Sequence, residues 1–95
     1  MNTVQLECFI AVAEYLNFSK ASRSLKITQP AVSHQIKTLE EELNVNLFRR
    51  STRMVELTPE GLAFTEDARN IVTIADQAKL RFSHPDDYPI QELSI

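Results

Sequence analysis

The chain has 95 residues, a formal net charge of -3, one cysteine, one glycine and 43% apolar residues, which allows one small domain with an extension and a modest core. Cys8 alone excludes an intrachain disulfide and a multi-cysteine metal site, and a single glycine argues against phosphate-cradling loops and glycine-turned β architecture. No apolar run approaches the ~18 residues of a membrane span, and Glu7 and Glu14 stand where a leader peptide would be basic or apolar, so a soluble, reduced, cytoplasmic setting without membrane contact is expected.

The first predicted element runs from about Thr3 to Leu16. Leu6, Phe9, Ile10 and Ala13 recur at the spacing of one helical face. Asn2 or Thr3 can cap it, and Asn17 can stop it. A second, shorter helix opens at Phe18-Ser19, with Ser19 as the expected N-cap, Phe18 packing back on the first turn, and Ala21 and Leu25 facing the core. The small Ala21 lets two short helices approach closely.

Lys26-Ile27 is a short connection. Thr28 is the next capping residue, and Pro30 is tolerated in the first turn because its missing N–H has no intrahelical partner there. The helix continues to about Leu43, with Val32, Ile36, Leu39 and Leu43 as its buried stripe. Pro30, Ser33, His34 and Lys37 lie opposite that stripe, with Gln29 at its leading edge. Asn44 suits a left-handed helix end. Three short helices, the last exposing small polar residues at its start, predict a helix-turn-helix.

Leu47-Phe48 and Val55-Leu57 bracket Arg49, Arg50, Ser51, Thr52 and Arg53. The alternation about Glu56 predicts a short hairpin with a basic tip, a wing; an irregular basic loop is the alternative. Thr58-Pro59-Glu60 is a helix start, and the helix can run to about Phe82. Phe64, Ala68, Ile71, Ala75, Ala78 and Phe82 follow a heptad seam along a rod of roughly 36 Å. Such a rod protrudes from a small domain, so the seam is expected to pair with a second copy, with part of it free to pack on the first three helices. His84 to Pro89 reads as a linker, and Leu93, Ser94 and Ile95 as the start of a strand belonging to a further domain.

The charge is unevenly placed. Between Tyr15 and Val55 seven Lys or Arg residues face three Glu, whereas the remainder is strongly acidic. A basic centre of this kind is the footprint of a surface that meets a polyanion.

The run Phe18-Ser19-Lys20-Ala21 through Thr28-Gln29-Pro30-Ala31-Val32-Ser33-His34-Gln35-Ile36 resembles the helix-turn-helix signature of the LysR-type transcriptional regulators. Leu39-Glu40, Leu43, Leu47-Phe48, Arg50, Arg53, Leu57-Thr58 and Gly61 continue the pattern, so the resemblance covers roughly residues 3 to 80. It implies a mainly α fold: a winged helix-turn-helix over residues 1–58, a dimerisation helix over 59–83, and over 84–95 a hinge into an absent effector-binding domain. It implies no cofactor in this part of the protein and a small-molecule effector in the missing domain. The implied partners are double-stranded DNA, a second copy, tetramers of the full-length protein, and RNA polymerase. Ser22, His34 and Asn44 depart from the family's frequent alanine, arginine and glycine.

In helix-turn-helix geometry, Gln29, Pro30, Ala31, Ser33, His34 and Lys37 are the expected base-reading residues. Arg50 and Arg53 in the wing are expected to grip phosphates or enter the adjacent minor groove, with Ser19, Lys20 and Thr28 as further phosphate contacts. Catalysis is the rival from another class. It would need Cys8 as nucleophile and His34 as base, yet the two fall on different helices with no orienting carboxylate at motif spacing. A helical protein–protein module is the second rival; it gives no reason to cluster Gln29, Ser33 and Lys37 with Arg50 and Arg53. Glu40, Glu41 and Glu42 read as a solvated helix face.

Overall fold

The computed structural model describes residues 1–83. Four helices and a two-stranded hairpin follow in the order α1 (Thr3–Tyr15), α2 (Phe18–Leu25), α3 (Gln29–Leu43), β1 (Phe48–Arg50), β2 (Val55–Leu57) and α4 (Pro59–Ser83). The expected winged helix-turn-helix with a long following helix is what forms. The predicted linker and strand over 84–95 lie outside the described residues.

Helix α1 is the hub, packed by α2, α3 and α4. Its Leu6, Phe9 and Val12 are at most 1% exposed and meet Val32, Ile36 and Leu39 of α3, Ala21 of α2 and Ala68 of α4 in one cluster. The small Ala21 and Ala68 stand in the core with no exposed surface, as close helix approach requires. Gln5 is buried without loss. Its Oε1 accepts the Asn2 N–H at 2.9 Å, and its Nε2 donates to Thr38 Oγ1 at 2.9 Å, stitching α1 to α3. Asn2 in turn accepts from Gln5 N, which completes a capping box.

The helix boundaries correct two expectations. Asn17, not Ser19, caps α2: its Oδ1 accepts from Lys20 N at 2.8 Å, and Phe18 is already the first helical residue. Both residue types are good caps, but α1 ends one residue earlier than expected, at Tyr15, with Leu16 in the left-handed region at φ 49°. The chain is therefore extended at Asn17, where a cap must be. Phe18 therefore lies after the cap and not before it, and it is buried in the core edge-on to Phe48. Lys26 ends α2 at φ 60°, and Asn44 ends α3 at φ 58° as expected. Thr28 caps α3 by accepting from Ala31 N at 3.2 Å.

The hairpin pairs Phe48 with Leu57, Arg49 with Glu56 and Arg50 with Val55. It turns without glycine because Ser51 supplies the turn. The Ser51 N–H donates to Met54 O at 2.9 Å, and its hydroxyl accepts the N–H groups of Arg53 and Met54 at 3.3 and 3.1 Å. Glu40 anchors the wing's other end. Its carboxylate accepts the Leu47 and Phe48 N–H groups at 2.7 and 3.2 Å, so this residue is a structural tie and not part of a solvated run.

Thr58 joins wing to α4. Its N–H donates to Leu47 O at 3.0 Å, its hydroxyl donates to Asn46 O, and the same oxygen accepts from Gly61 N at 2.9 Å. Gly61 then passes so close to the wing base that a Cβ there would lie 2.1 Å from Leu47 O.

The heptad seam of α4 divides. Phe64 stacks edge-on against Phe9 with centroids 5.2 Å apart, Ala68 has no exposed surface, and Ile71 packs on the core. Ala68 is thus removed from any intermolecular seam, and Phe64 is turned mainly inward, because α1 occupies that side of the rod. Ala75, Ala78 and Phe82 lie farther along, and Ile74 and Phe82 are 64% and 69% exposed. The described residues extend over 58 × 25 × 18 Å, the long axis that a 25-residue helix gives a domain of this size.

Candidate nucleic-acid interface

Helix α3 presents its first two turns outward. Gln29, Pro30, His34 and Lys37 are exposed, and Ala31 and Ser33 are half-buried, while Val32, Ile36 and Leu39 on the other side are fully buried. One residue stripe therefore locks the helix to α1, and the opposite stripe is left for a partner.

The wing stands beside this face and leaves a groove on each side of its root. The larger, of about 920 Å³, runs between α3 and the hairpin and is walled by Ser33, His34, Lys37, Arg49, Arg50 and Met54 among others. The smaller, of about 570 Å³, is walled by the start of α2, Gln29 and Ser33, and the turn from Arg50 to Val55. Ser33 and Arg50 border both grooves. The fold thereby brings together Ser19, Gln29, Pro30, Ser33, His34, Lys37, Arg50 and Arg53 along two adjoining grooves. Thr28 is exposed at the α3 cap, and Lys20 is exposed on α2; neither lines these grooves. Ala31 lines neither groove and lies half-buried beside them.

Sequence reading passed over several residues that the fold places here. Asn17, Arg49 and Met54 all wall a groove, and Met54 is 57% exposed at the wing turn. Arg49 belonged visibly to the basic cluster. Asn17 reads in the sequence only as the stop of the first helix, although an asparagine is also a good cap for the next one. Met54 carried no signal, since an apolar residue between Arg53 and Val55 looks like strand. Arg23 also points this way: its guanidinium donates to Ser19 Oγ at 3.1 Å, on the flank of the smaller groove.

The catalytic alternative finds no support in the geometry. Cys8 is 1% exposed inside α1, whereas His34 is on the outward face of α3. Burial, and then the neighbouring Glu7 charge, push the Cys8 thiol above its ordinary pKa, so it is a protonated core group. No cluster of three or more metal-ligating side chains occurs among the described residues, and no described helix is long and apolar enough to cross a membrane.

Fold and site together define a winged helix-turn-helix domain with a polar, arginine-flanked outer face and an appended long helix. Residues 3–62 match the family model described as bacterial regulatory helix-turn-helix protein, lysR family. The chain belongs to the LysR family. It is 52% identical over 73 residues to the HTH-type transcriptional regulator BudR of Klebsiella aerogenes, covering 77% of this chain and 51% of that protein. It is 43% identical over 91 residues to the HTH-type transcriptional regulator ClcR of Pseudomonas putida, covering 96% of this chain and 31% of that one. The chain therefore spans about half or less of the length of these relatives.

Two solved complexes superpose closely. The DNA-binding domain of CbnR bound to DNA gives a TM-score of 0.83 at 42% identity, covering 90% of this chain and 99% of that one. The BenM DNA-binding domain on catB site 1 DNA gives 0.82 at 38% identity, covering 90% and 97%.

Proposed function

We propose that this chain is the DNA-reading part of a bacterial transcriptional regulator that binds double-stranded operators sequence-specifically as a homodimer in the cytoplasm. The observation that carries the reading is the outward stripe of α3, with Gln29, Ser33, His34 and Lys37 facing away from a core that fixes the helix rigidly, flanked by a wing bearing Arg49, Arg50 and Arg53. A helix of this width fits a major groove of about 12 Å. Gln29 offers a donor and an acceptor to an adenine edge, Pro30 and Ala31 offer apolar contact to a thymine methyl, and Ser33, His34 and Lys37 reach bases or the adjoining backbone. Arg50 and Arg53 grip phosphates beside the half-site, assisted by Ser19, Lys20 and Thr28. The role is binding, not catalysis. The relatives named as transcriptional regulators, and the DNA-bound CbnR and BenM domains, support it.

In the proposed division of labour, residues 1–58 read DNA, 59–83 set the spacing of two copies, and 84–95 connect to an effector-binding domain. That domain would hold a small molecule, assemble the full-length protein into tetramers and bring it to RNA polymerase. Pairing would use the outer part of the α4 seam, Ala75, Ala78 and Phe82, with the exposed Ile74 beside it. A rod of about 37 Å spans one DNA turn of about 34 Å, the usual separation of half-sites. Ile74→Glu puts a charge beside that seam without touching the core. It is expected to shift the chain from dimer to monomer in sedimentation velocity at tens of micromolar, with the thermal midpoint of the domain unchanged. An unaltered dimer would place the pairing surface elsewhere.

Wing contact is tested by salt dependence. Each phosphate contact releases counterions, so Arg53→Ala is expected to reduce the slope of log K against log salt by about 0.9. Fluorescence anisotropy on a selected duplex between 50 and 200 mM salt measures this. A slope equal to the wild type would remove Arg53 from the interface.

A further inference from the structure

Arg50 is held differently from the other cations of the site. Its guanidinium carbon lies 4.3 Å above the centre of the Phe18 ring, well inside the ~6 Å reach of a cation–π contact. No carboxylate pairs with it among the described residues, and it makes no hydrogen bond there that would occupy its donors. A salt bridge would hold the side chain but neutralise it. A ring face holds it and leaves the positive charge and its N–H groups uncommitted.

The ring itself is fixed. Phe18 is 8% exposed and meets Phe48 edge-on at 6.2 Å; Phe48 meets Phe9 at 5.4 Å, and Phe9 meets Phe64 at 5.2 Å. Arg50 thus rests on the end of an aromatic row rooted in the core. Its place is the root of the wing, where the two grooves meet and where it shares their walls with Ser33. A long arginine side chain ordinarily loses its rotamer freedom when it binds, and that loss weakens association. Contact with the ring restricts part of that freedom before any ligand arrives.

We propose that Phe18 is a positioning residue for DNA binding: its ring presents the Arg50 guanidinium, un-neutralised and pre-ordered, to a backbone phosphate at the edge of the half-site. The assignment rests on the DNA-reading role proposed above. It differs from a purely structural role for Phe18 in one respect: the two residues must be coupled in their effect on DNA.

The test is a double-mutant cycle on duplex affinity with Phe18→Leu and Arg50→Ala, using a duplex selected by the wild-type chain. Phe18→Leu keeps an apolar side chain in the core and removes the ring. It is expected to weaken binding roughly 3- to 10-fold, the scale of one ordered side chain. Its salt slope should match the wild type, because Arg50 still reaches its phosphate. Arg50→Ala should cost several-fold less in the Phe18→Leu background than in the wild type. Equal losses of Arg50→Ala in both backgrounds would overturn the proposal even with the duplex bound.

A second readout needs no variant of the core. In the free wild-type domain the Arg50 side-chain proton resonances should be shifted upfield by the ring current of Phe18. Resonances at the positions of a free arginine would overturn the proposal even if Phe18→Leu failed to fold. A wild-type chain that bound no duplex would remove the DNA-reading role and this assignment with it.

Discussion

Gly61→Ala is expected to destabilise the domain by about 3 kcal/mol, the upper end for a side chain forced into a filled space. For a domain of this size the loss lowers the thermal midpoint on the order of 15 °C. Helix propensity alone predicts the opposite sign, since alanine replaces glycine within α4 with a gain of up to about 1 kcal/mol. The wing decides between them. The new Cβ would stand 2.1 Å from the Leu47 carbonyl oxygen and 2.9 Å from a Leu57 methyl group. The carbonyl cannot withdraw easily, because it accepts the Thr58 N–H at 3.0 Å while Glu40 holds Leu47 N from the other side. Urea unfolding of Gly61→Ala beside the exposed control Ala63→Gly measures the sign directly. A midpoint that rose in Gly61→Ala would mean that wing and α4 do not approach as described.

Gln29→Ala carries the second large effect, and it falls on DNA, not on stability. Gln29 is exposed at the first position of α3, where it contributes nothing to the core. Its loss is expected to weaken binding to the cognate duplex by about 1–3 kcal/mol and to relax selectivity at one base pair. Binding to random duplex should scarcely change, because phosphate contacts supply nearly all of that affinity. Competition titrations with cognate and scrambled duplexes separate the two terms. Equal losses on both would make Gln29 a backbone contact and not a reader of sequence.

Much of this arrangement was legible in the chain. Thr28, Pro30 and Asn44 bracket α3 because a capping hydroxyl, a first-turn proline and a left-handed asparagine each have one natural place on a helix. The buried stripe of α3 fixes which residues face outward, so the polar stripe followed from the same periodicity. Other features depend on distant partners. Leu16 and Lys26 end helices in the left-handed region although neither side chain favours it, since the core fixes where α1 and α2 must stop. A heptad period reports a seam but not its partner; the sequence allowed part of the seam to pack inward, and burial of Ala68 with Phe64 against Phe9 locates that part. Glu40 sits beside two further acids and looks solvated until the wing root folds back onto it. Gly61 matched a family pattern, but its cause is a carbonyl fourteen positions earlier in the chain.

The wing illustrates how local chemistry and packing combine. Ser51 closes the turn from within, whereas Glu40 and Thr58 tie the two strands to α3 and α4. The arginines it carries are therefore borne on a frame fixed at both ends. That rigidity is what a reading surface needs, because groups already in place lose less freedom on binding.

The most direct measurement is a backbone and side-chain chemical-shift titration of the folded domain with a double-stranded oligonucleotide at low ionic strength. Shifts concentrated at Gln29, Ser33, His34 and Lys37 on α3, and at Arg50 and Arg53 in the wing, are the predicted result, with the buried Val32, Ile36 and Leu39 moving little. A folded sample in which those six positions stayed still against every duplex offered would contradict the central claim.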